Sequence, residues 1–423
     1  MTDKKVPELR FEGFKNEWEQ RKLEDISKVI TKGTTPRDKS WSGEVNYVKT
    51  ESINPESGDI FVTANTSIEE HEGYLKRSQL KAGDVLFSIV GTLGRVGVVK
   101  DIDLPANTNQ QIGIIRLSDA DEKFVFNALK TPRIASFIKS DATIGAQPSL
   151  SLWQINVLEI KLPNHEEQTK IGKFFDDMDD LITLHQRKLD LLKQLKQAYL
   201  QKMFPKNGED RPELRFTDFE EAWEQRKFED VFLFPVSTNS LSRAQLNYKG
   251  GKIRNIHYGD VLIKYEEIID AEQDSIPYVN DGLLSNYENN LLVDGDLVFA
   301  DAAEDYTVGK ACEIRNIDQQ SVVSGLHTIV VRPQKESASF YWGYYLNSSA
   351  YHKQLLRLIQ GTKVSSISKR NLFETKVCFP KEYKEQENIG ILFKSIGNTI
   401  TLHQNKLDQL KKLKSAFLQK MFI

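Results

Sequence analysis

An α+β protein built twice over is expected from this 423-residue chain. It should hold two globular domains with curved mixed sheets, separated by two long antiparallel repeated helices, in an internal tandem duplication with pseudo-twofold symmetry. Three features lead there. Two flanking blocks recur almost unchanged. One of them carries a helical apolar stripe that no proline interrupts. The stretches between them hold short β-rich runs set off by turn residues.

PELRF at Pro7–Phe11 returns at Pro212–Phe216, and WEQRKLED at Trp18–Asp25 returns as WEQRKFED at Trp223–Asp230, each 205 positions on. ITLHQRKLDLLKQLKQAYLQKMF at Ile182–Phe204 returns as ITLHQNKLDQLKKLKSAFLQKMF at Ile400–Phe422, offset by 218 with 18 of 23 positions identical. The second copy therefore carries net insertions between its matched ends. A unit of about 210 residues far exceeds the 20–50 of a solenoid repeat, so a whole module has been copied. The middles agree only at scattered places, such as the turns Gly83-Asp84 and Gly295-Asp296 and the ends Leu162-Pro163 and Phe379-Pro380. The flanks read as one job done twice, and the middles as two different jobs.

From Glu166 to Met203 there is no proline, and Gly172 is the only glycine. Leucines and other apolar residues recur there at spacings of three and four. Pro163 and Pro380 punctuate the two helix starts, and Pro205 ends the first helix. Some 38 residues give roughly 57 Å, longer than a small domain is wide. The best partner for such a stripe is the other copy of the same helix, paired antiparallel. Its seam is expected at Ile182, Leu189, Leu192, Leu195 and Tyr199, facing Ile400, Leu407, Leu410, Leu413 and Phe417. Residues 1–163 then form the first domain with its N-terminal segment, 164–204 the first helix, 205–217 a linker, 218–380 the second domain and 381–423 the second helix. Within the domains, β-runs are read at Asp84–Val90, Ile112–Leu117, Asp296–Ala300 and Thr328–Val331, and helical stretches near Glu122–Lys139 and Ala338–Gln360.

Composition excludes several classes. Lys and Arg number 57 against 60 Asp and Glu, a net charge of −3, which is no histone-like coat. Two cysteines, Cys312 and Cys378, make neither a disulfide framework nor a four-thiolate zinc site. No apolar run approaches a membrane span, and the first residues hold no signal core, so a soluble, cytoplasmic protein is expected. There is no P-loop. The glycines of GTLGRVG, Gly91 to Gly97, lie between β-runs rather than before a helix. The seven histidines show no metal-ligand spacing, and His185 and His403 fit the helix seam. Asn54-Pro55 lacks the aromatic of a base-methylating site, and the Glu-x-Lys triplets at Glu159–Lys161 and Glu374–Lys376 have no spaced acidic partner.

The flanks, their order and the loop sequences ITKGTTP (Ile30–Pro36), IGAQPSLSLWQINVLEIKLP (Ile144–Pro163) and IQGTKVSSISKRNLFETKVCFP (Ile359–Pro380) together resemble the specificity (S) subunit of type I restriction–modification systems. The likeness runs from about Pro7 to Ile423. It implies a chain with no catalytic centre or cofactor of its own. Each domain would be a target-recognition domain reading one half of a split site on double-stranded DNA. The paired helices would act as a ruler and dock two modification (M) subunits, which bring S-adenosylmethionine to methylate adenine N6. Restriction (R) subunits, using ATP and Mg²⁺, would then complete a nuclease. One departure is Phe234-Pro235-Val236-Ser237, set against the turn Gly33-Thr34-Thr35-Pro36.

DNA readers need amides and arginines for base edges and cations for phosphates. The first domain offers three polar loops: Lys32, Thr34, Thr35, Arg37, Lys39 and Trp41; then Asn107, Asn109, Gln110 and Gln111; then Gln147 and Ser149. The second offers Asn239, Ser240, Ser242, Arg243, Lys249, Arg254, Asn255, His257 and Tyr258, with Lys363, Ser365 and Ser366 where the repeat places the third loop. Arg95 after Gly94 and Lys310 after Gly309 are candidate phosphate contacts. The competing readings are ordinary solvated turns and, for the whole chain, a coiled-coil adaptor that binds proteins.

Overall fold

A computed structural model describes residues 5–143, 147–318, 320–359 and 364–423. The chain divides into two compact units, residues 1–187 with 404–423, and residues 188–403. The expected boundaries set the long helices apart from the domains; here each helix contributes one half to each unit.

Unit 1 holds a four-stranded antiparallel sheet in the order Ser27–Lys32, Ile112–Leu117, Val85–Ser88, Val96–Val98. Beside it lies a three-stranded sheet, Asn65–Thr66, Val45–Val48, Ala106–Thr108, whose last pair is parallel. Glu19–Lys22 of the repeated flank pairs antiparallel with Glu159–Leu162. Unit 2 repeats this plan. Phe232–Leu233, Thr328–Pro333, Leu297–Ala300, Ala311–Arg315 and Ile268–Asp270 form five strands. Leu246–Asn247, Tyr278–Val279, Ile253–Ile256 and Ser321–Ser324 form four, again ending in a parallel pair. Glu224–Lys227 pairs with Lys376–Phe379.

The two Gly-Asp turns that match between the copies now have a physical cause. Gly83 and Gly295 take φ of +83° and +88°. The buried Asp84 accepts Lys81 N at 2.8 Å and grips Arg116 of the neighbouring strand at 2.7 and 2.6 Å. Asp296 does the same with Val293 N at 2.9 Å and Arg332 at 2.6 and 2.8 Å.

Each expected domain helix is in fact two. Thr131-Pro132 splits the first stretch into Glu122–Ala128 and Pro132–Asp141, proline being favoured at a helix start. Ser348 is a break between Tyr341–Asn347 and Ser349–Leu356. Gln360, the expected end of that stretch, lies outside the described residues.

The long helices span His165–Lys202 and Tyr383–Met421. Within unit 1 they run antiparallel: Phe174 meets Phe417 edge-on at 5.1 Å, and Lys414 Nζ lies 2.5 Å from Asp179 Oδ1. Within unit 2, Phe204 stacks on Phe393 at 5.7 Å. The seam is not quite the expected stripe. Leu189, Leu407 and Leu410 are buried, whereas Ile182, Leu192, Tyr199, Ile400 and Phe417 are half-buried and Leu195 and Leu413 are exposed. The next residue along, in each copy a lysine, turns inward instead. Lys414 pairs with Asp179, and Lys196 Nζ lies 2.7 Å from Glu267 Oε2. Gly172 and Gly390 occupy equivalent helix positions. A Cβ would lie 2.6 Å from Asp121 Oδ1 at the first and 2.4 Å from Ser339 O at the second, so glycine lets each domain pack tightly on its helix.

Candidate nucleic-acid interface

Three loops of unit 1 meet at one end of its four-stranded sheet. Thr34 N donates to Thr108 O at 2.9 Å and Gly33 N to Ile112 O at 3.2 Å, which fastens the first loop to the second. Ile89 N donates to Gln111 O at 2.8 Å and Leu150 N to Ile89 O at 2.9 Å, which brings in the third. Gly33 permits the approach, since a Cβ there would sit 2.1 Å from Thr108 O and 2.2 Å from Asn109 O.

On this frame Lys32, Arg37, Lys39, Gln110 and Gln147 are exposed, while Thr34, Thr35, Trp41, Asn109, Gln111 and Ser149 are half-buried. Neighbours brace the first loop. Glu70 Oε1 accepts Arg37 N at 2.8 Å, the Arg37 guanidinium lies 4.4 Å over the Tyr74 ring, and Lys49 Nζ lies 3.6 Å over Trp41. Arg77 Nη2 reaches Thr34 Oγ1 at 3.5 Å. Lys49, Glu70, Tyr74 and Arg77 fall in no repeat or motif, and only the fold brings them to the loop.

Two expected contacts in this unit are corrected. Asn107 is fully buried; its amide donates to Leu75 O at 2.9 Å and Ser78 Oγ at 3.2 Å, and its oxygen meets His71 Nδ1 at 2.5 Å. It holds the strand down rather than facing a base. Arg95 turns its Nη1 to Thr50 O and Ile53 O, at 3.1 and 3.2 Å, and so serves the backbone of a neighbouring turn.

Unit 2 assembles its loops with equivalent bonds. Asn239 N donates to Ser324 O at 3.0 Å, Asp301 N to His327 O at 3.0 Å and Ile367 N to Asp301 O at 2.9 Å. The counterpart of Thr34 is therefore Asn239, and not a residue of Phe234–Ser237 as the sequence match supposed. The third loop falls where the repeat placed it, with Ser365 and Ser366 pairing Ala303 and Ala302. Lys363 lies outside the described residues.

Ser240, Ser242 and Lys249 are exposed, and Tyr258 is half-buried. Ser242 caps a short turn through Gln245. Other candidates are held by internal partners. Asn255 is fully buried and accepts from Asn239 Nδ2 at 2.7 Å. Arg254 donates to Ala271 O and to Tyr278 Oη, the latter at 3.2 Å. Lys310 Nζ reaches Tyr265 O at 2.6 Å, so this cation, like Arg95, serves a backbone carbonyl rather than a phosphate. Arg243 is half-exposed but pinned at 2.9 and 2.6 Å by the buried Asp260. His257 is buried, and its Nδ1 accepts Gly259 N at 3.2 Å. Burial, with Arg243 adding to it, holds the His257 imidazole below its usual range. Two residues the sequence reading passed over stand at this hub, Asp301 and His327. Both sit at strand ends that the matching turns could have flagged.

Among the described residues no cluster of metal-ligating side chains occurs, and no helix is long and apolar enough to cross a membrane. The pairs of exposed amides and cations match the chemistry of base edges and phosphates.

A family model described as the type I restriction modification DNA specificity domain matches residues 15–194 and again 220–412. Over 419 residues the chain is 22% identical to the type I restriction enzyme MjaVIII specificity subunit of Methanocaldococcus jannaschii, covering 95% of this chain and 91% of that protein. It is 24% identical over 415 residues to the putative type I restriction enzyme MjaX specificity subunit of the same organism, covering 95% and 92%. In fold, the crystal structure of the type I restriction–modification system S subunit from M. genitalium aligns with a TM-score of 0.63 over 99% of both chains, at 15% identity.

Proposed function

The chain belongs to the type I restriction modification DNA specificity family, and we propose that it reads a split DNA target, one half with each unit. One observation carries this reading. Equivalent backbone bonds gather three loops at the sheet end of each unit, yet the side chains on those loops differ between the units. A shared frame with unlike side chains is what two readers of two different half-sites require. In unit 1 Lys32, Arg37 and Lys39 suit phosphates, and Gln110 and Gln147 suit base edges.

Two M subunits dock on the long helices, where Leu184, Leu191, Leu195, Leu402 and Leu413 leave apolar surface exposed. S-adenosylmethionine is held by those M subunits, and ATP and Mg²⁺ by R subunits that join later. The chain itself positions the target adenine and performs no transfer. Its balanced charge makes DNA binding by the isolated chain weak and steeply dependent on salt.

The test is a map of N6-methyladenine in cells expressing this chain with its cognate M subunit, against M alone. A split motif seen only with this chain is expected. Stable co-purification with M but no motif would instead support a protein-binding adaptor.

A further inference from the structure

One loop position in each unit holds a polar side chain in the same way. Gln111 directly precedes the strand Ile112–Leu117, and His327 directly precedes Thr328–Pro333. The carbonyl of each accepts the backbone bond that ties the second loop to the hub, from Ile89 N and Asp301 N respectively. In both, a neighbour then fixes one polar atom of the side chain. Asn109 Nδ2 donates to Gln111 Oε1 at 3.1 Å. In unit 2, His327 Nδ1 lies 3.2 Å from Asp301 Oδ1.

The His327 site has further marks of a built position. Its φ is +53°, a left-handed conformation that non-glycine residues adopt at a cost and that clusters at functional sites. The Tyr258 ring meets the imidazole edge-on at 5.3 Å and 79°, which limits its rotation. Even so, 52% of the His327 side chain is exposed. Asp301 also joins the third loop, through Ile367 N, so the pair sits where all three loops converge.

The geometry points to His327 as a base-reading residue of unit 2, oriented by Asp301, that takes an exocyclic amine in the major groove, adenine N6 or cytosine N4. The inference rests on the reading of the chain as a DNA-recognition subunit. An ionised carboxylate only accepts, so Nδ1 carries the proton of the neutral ring. Nε2 is then the acceptor. Adenine and cytosine offer a donor amine in the major groove, whereas the guanine and thymine edges offer only acceptors.

The experiment uses the full chain co-expressed with its cognate M subunit, with N6-methyladenine mapped for wild type, His327→Gly and Asp301→Asn. Glycine adopts a φ of +53° without strain, so the first variant removes the ring and keeps the backbone. An asparagine can donate to Nδ1 and so favour the other tautomer, which turns Nε2 into a donor. Both variants should relax the same single base position in one half of the motif, by about tenfold in preference. Asp301→Asn should shift it toward guanine or thymine, and every other position should stay unchanged. A purely structural role would not single out one position. The inference is overturned if wild type yields a split motif and both variants keep it, or if both lose methylation at every site alike. A wild type without any split motif would overturn the DNA-recognition reading first, and this inference with it.

Discussion

Replacing Glu385 by alanine strips the Arg215 guanidinium of its partner where the repeated PELRF segment meets the second long helix. Glu385 is 1% exposed and accepts Arg215 Nε at 2.7 Å and Nη2 at 2.9 Å; Arg215 keeps 14% of its surface. Removing one member of a buried pair costs about 3–5 kcal/mol, and the residual exposure of Arg215 places this case near 3. Trp223 Nε1, which also donates to Glu385 at 3.2 Å, loses its acceptor for about 1 kcal/mol more. The sum, about 4 kcal/mol, lowers the melting temperature of a unit this size by roughly 8–16 °C. Unit 1 supplies the control. Arg10 grips Glu167 at 2.6 and 2.7 Å, but Trp18 Nε1 finds no hydrogen-bond partner among the described residues, so Glu167→Ala should cost about 1 kcal/mol less. Calorimetry of the full chain, and urea unfolding followed by tryptophan fluorescence, measure both. The combined change Arg215→Met with Glu385→Leu should regain most of the loss, because no charge is then left buried. A Glu385→Ala chain within about 0.5 kcal/mol of wild type, or no less stable than Glu167→Ala, refutes the argument.

Gly33→Ala drives a Cβ against two backbone carbonyls, so the first loop must move at a cost of about 1–3 kcal/mol. Methylation mapping should show one half of the motif lost or altered and the other intact. Asn107→Ala should destabilise unit 1 by roughly 2–3 kcal/mol through its buried partners and leave the motif alone, whereas Gln110→Ala should do the reverse. Denaturation midpoints and methylation maps together separate the two. Burial lowers the pKa of His257 and of His352 in the folded chain. The unfolded state therefore takes up protons first, and stability present above about pH 6.5 falls as pH drops toward the folded values. Urea midpoints should decline from about pH 7.5 to 5.5, less steeply in His352→Gln, and a midpoint that rises on acidification contradicts the assignment.

Repeated text in the chain reported whole modules and long helices well, because a helix that must pair along its length keeps one period throughout. The helix start at His165 follows Pro163 closely, and the strand Ile112–Leu117 matches the expected run. Strand order was out of reach. The parallel pairing of Val45–Val48 with Ala106–Thr108 joins segments some 60 residues apart that share no local signal. The amide-rich run at Asn107–Gln111 looks uniform in sequence, yet the strand Ala106–Thr108 is buried along its length and takes Asn107 with it, while Gln110 stands exposed in the turn beyond. A polar residue at a strand end can clasp the fold or face a ligand, and here burial tells the two apart. His327 was missed among scattered histidines. Its place immediately before a strand, matching Gln111, was the available clue.

The two units are not equal in how they are threaded. Unit 2 is one continuous run of chain, but unit 1 needs residues 404–423 to close its core. Phe422 lies 6.2 Å from Trp18, 5.1 Å from Phe124 and 5.8 Å from Phe175, and Leu9 N donates to Lys420 O at 2.9 Å. During synthesis the domain that emerges first is therefore the last to mature. Unit 1 thus stays open until residues 404–423 have been made, which ties the closing of its core to the whole length of chain that lies between its two parts.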